Sequence, residues 1–271
     1  MKFSYRLKRI CGSVYSNGNL VFTPDGQSII SPVGNRLNVF DLVNQTSSSL
    51  PLETRKDISR VAISHNGMFL IVIDVDGAAV FYNFPRQTVI HRMNFRQHVY
   101  DVKFAPSDKY FAVTIGRGVQ IWATPSGKRE FSPLTLKRTL IGHSDDCTCL
   151  DWSPDSRSII IGSRDLTAKV YYNVSSKFMS SSVLSGHRDT IIGVFFASST
   201  EAYTVATDGG VFSWKYEKIV SPTAMDTNSE AEQDTSSESD EEDDEEEGQM
   251  DETSPYYLTT QTQNPRIPKS R

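Results

Sequence analysis

The chain has no run approaching the roughly 18 consecutive apolar residues that a spanning helix needs. Its opening, Met-Lys-Phe-Ser-Tyr-Arg-Leu-Lys-Arg-Ile, holds no apolar stretch for a signal peptide. Both absences predict a soluble chain of the cytosol or nucleus. Cysteine is scarce. Cys11, Cys147 and Cys149 are odd in number, and one residue separates the last two where a zinc knuckle has two. This excludes a disulfide framework and a cysteine metal site, and the three read as reduced core thiols. No segment carries ten or more residues of helical periodicity, which excludes an α/β fold. A Gly-x-Ser-x-Gly nucleophile elbow is missing too. The glycine-bearing stretches at 114–119 and 207–211 lie between strands and not before a helix, so they read as hairpin turns rather than phosphate loops. No enzyme, cofactor or small-molecule substrate is predicted.

One further absence is local. Residues 219–265 contain no Lys or Arg while holding 15 of the 33 acidic residues, so the net charge of −5 conceals an asymmetry. Residues 1–218 carry 25 Lys plus Arg against 18 Asp plus Glu, a basic body of about +7. Such a body suits a polyanionic partner, and equally a solvated basic face. The chain therefore divides into a body at 1–218, an acidic segment at 219–253 whose composition cannot form a core, and a polar tail at 254–271, read as the start of a continuation.

The body is repetitive. Five times an apolar residue, Phe22, Ile63, Phe104, Trp152 or Phe196, precedes a turn: Thr-Pro-Asp-Gly, Ser-His-Asn-Gly, Ala-Pro-Ser-Asp, Ser-Pro-Asp-Ser and Ala-Ser-Ser-Thr. The anchors are spaced by 41, 41, 48 and 44 residues. A period of about 40–45 residues is that of four-stranded propeller blades. Each anchor is followed 18 or 19 residues later by an aromatic that ends a strand: Phe40, Phe81, Trp122, Tyr171 and Trp214. Between them lie β-rich runs such as Phe-Leu-Ile-Val-Ile and Ser-Ile-Ile-Ile-Gly, and turns bearing Gly or Asp. The predicted fold is all-β, a propeller of five recognisable four-stranded blades whose ring is incomplete within this chain. A propeller offers interaction surfaces on its loops, so the predicted function is that of a non-catalytic scaffold.

Two units carry a fuller pattern, opening on Gly142-His143 and Gly186-His187, and here the chain resembles the WD-repeat family. The resemblance implies a hydrogen-bonded His–Ser/Thr–Asp–Trp network in each: His143, Ser163, Asp165 and Tyr171 in one, His187, Asp208 and Trp214 in the other. Tyr171 replaces the usual indole, and Gly34, Val75 and Gly116 stand where the first three units would place the turn Asp. Recurrence of His and Asp at one repeat phase favours this structural role over a hydrolase reading.

Within that family, the opening residues, the block Asn-Phe-Arg-Gln-His-Val-Tyr-Asp-Val-Lys-Phe-Ala-Pro-Ser and the Ser/Glu/Asp-rich insertion after the fifth unit resemble a nucleolar branch of the small-subunit processome. The resemblance implies a role in ribosome biogenesis and rRNA processing in the nucleus and nucleolus. It also implies other WD-repeat processome proteins, the box C/D small nucleolar ribonucleoprotein and pre-rRNA as partners. Lys2, Arg6, Lys8 and Arg9, interleaved with Phe3 and Tyr5, are the candidate RNA contact, with the start of the first blade as the plainer reading. Ser237 and Ser239 each precede an acidic residue by three positions and are candidate phosphorylation sites. The other interaction class is a propeller adaptor in a ubiquitin ligase, coat or chromatin complex.

Overall fold

The computed structural model describes residues 18–125, 133–172 and 180–216 in full, and the backbone of one strand at 256–262. Every regular element among them is a strand, and the strands form five antiparallel four-stranded meanders. The first is β1 (Val21–Phe22), β2 (Ser28–Val33), β3 (Arg36–Asp41) and β4 (Thr46–Glu53). The second is β5 (Ile58–Ile63), β6 (Phe69–Asp74), β7 (Ala78–Asn83) and β8 (Thr88–Asn94). The third is β9 (Val99–Phe104), β10 (Tyr110–Ile115), β11 (Gly118–Ala123) and β12 (Thr135–Ile141). The fourth is β13 (Cys147–Trp152), β14 (Ile159–Ser163), β15 (Ala168–Tyr172) and β16 (Ser180–Leu184). The fifth is β17 (Ile191–Phe196), β18 (Glu201–Ala206), β19 (Val211–Tyr216) and β20 (Tyr256–Thr262).

The five anchors each close the first strand of a sheet, and the recurrent turn has a local cause. In the first, second and fourth sheets the hydroxyl after the anchor, on Thr23, Ser64 or Ser153, donates to Asp25, Asn66 or Asp155 two residues on. The same hydroxyl accepts the amide five residues ahead, from Ser28 (3.1 Å), Phe69 (2.9 Å) or Ser158 (2.9 Å), which starts the next strand. Ser/Thr and Asp/Asn are needed there because short polar side chains bond their own backbone. Registers align anchor, middle strand and third-strand aromatic in four sheets, as in Phe104↔Phe111↔Trp122. In the second sheet Leu70 pairs with Ile63 and Tyr82, so the aligned aromatic is Tyr82 and not Phe81.

The core lies between sheets. Four apolar clusters fill the four gaps: Ile30, Leu37, Leu70 and Tyr82 between the first two sheets, Ile71, Phe81, Val102 and Phe111 between the second and third, Ala112, Leu150, Ile159 and Tyr171 next, then Ile160, Val170, Val194 and Trp214. A strand pointing alternate residues at two neighbours must be apolar on both faces. That is why Phe-Leu-Ile-Val-Ile-Asp in β6 is buried at every position.

The sequence reading placed the tail at 254–271 beyond the last unit. Instead Tyr256–Thr262 is the fourth strand of the fifth sheet, with Tyr216↔Tyr256 and Trp214↔Leu258 in register against β19. A strand made largely of Tyr, Thr and Gln lacks the apolar alternation that marks the other strands. The acidic run thus sits in sequence between β19 and β20, inside the fifth unit; its own residues lie outside those described.

Phe111 is fully buried, its ring 5.0 Å from that of Phe81 and 5.8 Å from that of Phe104. Phe111→Ala is expected to cost about 3–5 kcal/mol, whereas Leu136→Ala on the exposed outer strand β12 costs under about 1 kcal/mol. Urea unfolding midpoints check this, and similar losses at both positions would contradict the account of the core.

Candidate protein-interaction surface

Among the described residues the first strands of the second to fifth sheets each have one edge that no strand pairs, and side chains of an adjoining sheet cap it. Asn19, just ahead of β1, accepts the Val61 amide and donates to the Val61 carbonyl, both at 2.8 Å. Arg60 donates to the Tyr100 carbonyl. Asp101 accepts the Leu150 amide (3.1 Å), and Asp151 accepts the Phe196 amide (2.8 Å). Trp152 and Thr148 reach the Lys103 and Ile191 carbonyls. Burial pushes the Asp101 carboxyl up from its ordinary range, opposed by the nearby Lys103 ammonium and by the Leu150 and Val102 amides. Lys103 pairs with Asp151 at 2.9 Å and lies 5.7 Å over the Phe195 ring. These first strands line a groove of about 300 Å³ that holds Asn19, Val61, Asp101, Lys103, Asp151 and Trp152.

At the end of the sheets that bears the second-to-third-strand turns, the structure brings together most of the predicted network residues, in two unequal halves. In the fifth sheet, Thr204 on β18 sits between two rings: its hydroxyl lies 2.6 Å from His187 Nε2 and accepts Trp214 Nε1–H at 2.9 Å. The indole only donates, so the Thr204 hydroxyl accepts from Trp214, and it bonds His187 Nε2 as donor or acceptor according to the histidine tautomer. The His187 ring stacks on Phe212 at 4.1 Å. Asp208 caps its own turn through the Gly210 amide (2.9 Å) and acts on His187 by charge, resisting the burial that lowers its pKa.

The fourth sheet has the other half. His143 Nδ1 lies 3.0 Å from Asp165 Oδ2, which also accepts the Ser144 amide at 2.9 Å. Ser163 does not join the ring: it donates to the Asp145 carbonyl and accepts the Asp165 amide, both at 3.2 Å. Register aligns Thr204 with Ile161, so no hydroxyl faces His143 Nε2, which is buried and without a partner. Sequence reasoning missed Thr204, although a Thr in a strand four residues before a turn Asp was the available signal. It also misplaced the turn Asp of the second sheet. Asp74 pairs with Ile58 as Ser163 pairs with Cys147, so Asp76, not Val75, matches Asp165. Asp76 there meets Lys56 at 2.6 Å in place of a histidine.

This arrangement pins loops, and the one hydroxyl it sets beside an imidazole, that of Thr204, is fully buried between His187 and Trp214. Ser163 serves the backbone, His143 faces a carboxylate, and burial pushes the Cys147 and Cys149 thiols up to about 12. Cys11, Lys2, Arg6, Lys8, Arg9, Ser237 and Ser239 lie outside the described residues.

The WD domain, G-beta repeat family matches residues 134–171, the stretch that holds His143, Asp165 and Tyr171. That stretch carries a WD repeat. Among curated proteins the chain is similar to the periodic tryptophan protein 2 homolog of Schizosaccharomyces pombe, 40% identical over 222 residues, which cover 81% of this chain and 26% of that protein. Periodic tryptophan protein 2 of Saccharomyces cerevisiae is 41% identical, with 80% of this chain and 24% of that protein covered. The Mus musculus homolog is 40% identical, with 79% and 24% covered. The chain thus spans about a quarter of the length of these relatives. A solved structure titled as that of U3-55K shares the fold, with a TM-score of 0.62 at 20% identity, covering 73% of this chain and 60% of that one.

Two predictions follow from the WD-repeat networks. Thr204→Val keeps the side chain's shape but strands two buried ring nitrogens, so it is expected to cost about 2–4 kcal/mol; a urea-midpoint loss below about 0.5 kcal/mol would sink the assigned bonding. The second concerns pH. Burial lowers the pKa of both His143 and His187 below the usual 6.5. The unfolded chain therefore binds protons first on acidification, and the stability these groups contribute, complete above about pH 6.5, falls as pH drops below it. Asp165 is lowered to about 2, held by Thr167, the Ser144 amide and His143 against desolvation. Its contribution is present above its unfolded value of 3.8 and is lost toward pH 2. The thermal midpoint should be lower at pH 5.5 than at 7.5; an equal or higher midpoint at pH 5.5 would contradict the burial of neutral histidines.

Proposed function

We propose that the chain is a non-catalytic scaffold in ribosome biogenesis, assembling the small-subunit processome on pre-rRNA for small-subunit rRNA maturation in the nucleolus. The observation that carries this reading is the identity of about 40% to periodic tryptophan protein 2 homologues over about four fifths of the chain. The architecture supports a scaffold: five stacked sheets make a stiff body, and the turns at both ends present side chains that strand packing does not consume. The partners of this reading are other WD-repeat processome proteins, the box C/D small nucleolar ribonucleoprotein and pre-rRNA. Lys2, Arg6, Lys8 and Arg9 are its proposed RNA contact. Ser237 and Ser239, within the acidic segment, are its proposed phosphorylation sites, where added negative charge strengthens binding to basic partners.

Affinity capture of the tagged chain from nuclear extract across a salt series tests this. Recovery of pre-rRNA leader with processome proteins is expected, with RNA-borne binding falling steeply as salt rises. Recovery of ubiquitin-ligase, coat or chromatin components in their place would establish the adaptor class and overturn the proposal.

A further inference from the structure

The five sheets repeat one plan, so each position has sister positions that serve as controls. At one corner, between the third and fourth sheets, two positions depart from their sisters in the same direction. Ile141 closes β12 and pairs with Gly118, the first residue of β11. The same register position is Glu53 in the first sheet and Asn94 in the second, and in the fourth it is Ser185, which precedes Gly186-His187 as Ile141 precedes Gly142-His143; all three are polar. Ile141 is neither polar nor buried: at 75% exposure it is the most exposed of the large apolar side chains described.

Leu166 is the second departure. Register equates it with Gly77 in the second sheet and Gly209 in the fifth, both at φ 82°. Leu166 holds φ 69°, the left-handed region that disfavours a residue with a Cβ and that costs glycine nothing. Of the six non-glycine residues at positive φ among those described, it alone is apolar, and its side chain is 38% exposed. The fold itself would be served better by Gly, as in the sister turns. A strained aliphatic residue left this exposed gains less from burial than a core residue does and points to a use outside the fold.

The two departures stand on segments that hydrogen bonds join. Ile141 leads into Gly142 and His143, whose Nδ1 lies 3.0 Å from the Asp165 carboxylate, and the Ser144 amide donates to the same carboxylate at 2.9 Å; Leu166 follows Asp165. The link that pins this loop to the turn therefore also fixes the two apolar side chains on either side of it. Arg117, exposed on the β10–β11 turn beside Gly118, adds positive charge next to Ile141, whose Cγ1 stands 3.6 Å from the Cβ position of Gly118.

We propose that Ile141 and Leu166 are the anchors of a protein-docking surface, whose partner offers an aliphatic pocket with a carboxylate at its rim facing Arg117. A protein, and not RNA, is the occupant. Two aliphatic side chains supply neither a stacking plane for a base nor a donor for a phosphate, while buried aliphatic anchors beside a rim charge are how protein interfaces are held.

The test rests on the scaffold reading and separates the two. Leu166→Gly and Ile141→Asn restore the sister-sheet residues, so the thermal midpoints of both variants should equal or exceed that of the wild type. Both variants and their combination are tagged in the full chain and compared with the wild type in capture from nuclear extract, with and without ribonuclease. The expected result is ribonuclease-resistant recovery of at least one processome protein by the wild type, reduced about tenfold in the combined variant. If the wild type recovers such proteins and the combined variant recovers them equally, this surface is not a docking site. If the loss appears only without ribonuclease treatment, the surface holds RNA and the proposal is overturned. If the wild type itself recovers no ribosome-assembly protein, the scaffold reading fails; recovery of another protein class that the combined variant loses would keep the docking surface.

Discussion

Everything in this architecture depends on how a sheet with a free inner edge meets the next one. Among the described residues no strand ladder joins the five sheets, so the unpaired backbone groups of the first strands need another partner or carry the cost of burial without one. Side chains supply it: Asn19 to Val61, Arg60 to Tyr100, Asp101 to Leu150, Asp151 to Phe196. These bonds fix direction, and the four apolar clusters between sheets supply most of the stabilisation. One without the other would give either a stack of sheets free to slide or a stitched edge with nothing holding the bodies together.

The same division of labour explains the two half-networks. Apolar alternation alone builds a blade, as the second sheet shows: Asp76 stands at the acid position, but its partner is Lys56 and Thr54 takes the histidine position. The polar constellations pin the loops. Where Thr204 is present, it satisfies both His187 and Trp214; where Ile161 stands at its register, His143 Nε2 is left without a partner and the Asp165 carboxylate holds the ring by its other nitrogen. This asymmetry brings the loop at 142–146 and the strained turn of Leu166 to one corner.

The fold was legible because spacing carried it. Five anchors and five aromatics at a near-constant interval define strands without any knowledge of contacts, and all five anchors close first strands. Networks were less legible, since a hydrogen bond depends on which face of a strand a residue occupies. Ser163, two residues before the turn Asp, is the hydroxyl expected in the fourth unit, but its side chain turns to the backbone of the preceding loop. One extra residue in the hairpin between β6 and β7 hid Asp76 for a similar reason. The strand at 256–262 was missed because 39 residues of acidic and polar sequence stand between it and its partner, and nothing in its Tyr-Tyr-Leu-Thr-Thr-Gln-Thr composition announces an edge strand of a sheet begun so far upstream.

Side-chain stitching of free inner edges makes the five sheets a single cooperative body. Native-state amide hydrogen exchange of Val61, Leu150 and Phe196 tests it most directly, since these three amides bond only to side chains of a neighbouring sheet in the contacts described. Protection approaching that of the β6 and β14 core amides is the predicted result. Exchange at the rate of exposed loop amides, with the core amides still protected, would contradict it and leave apolar stacking alone to order the sheets.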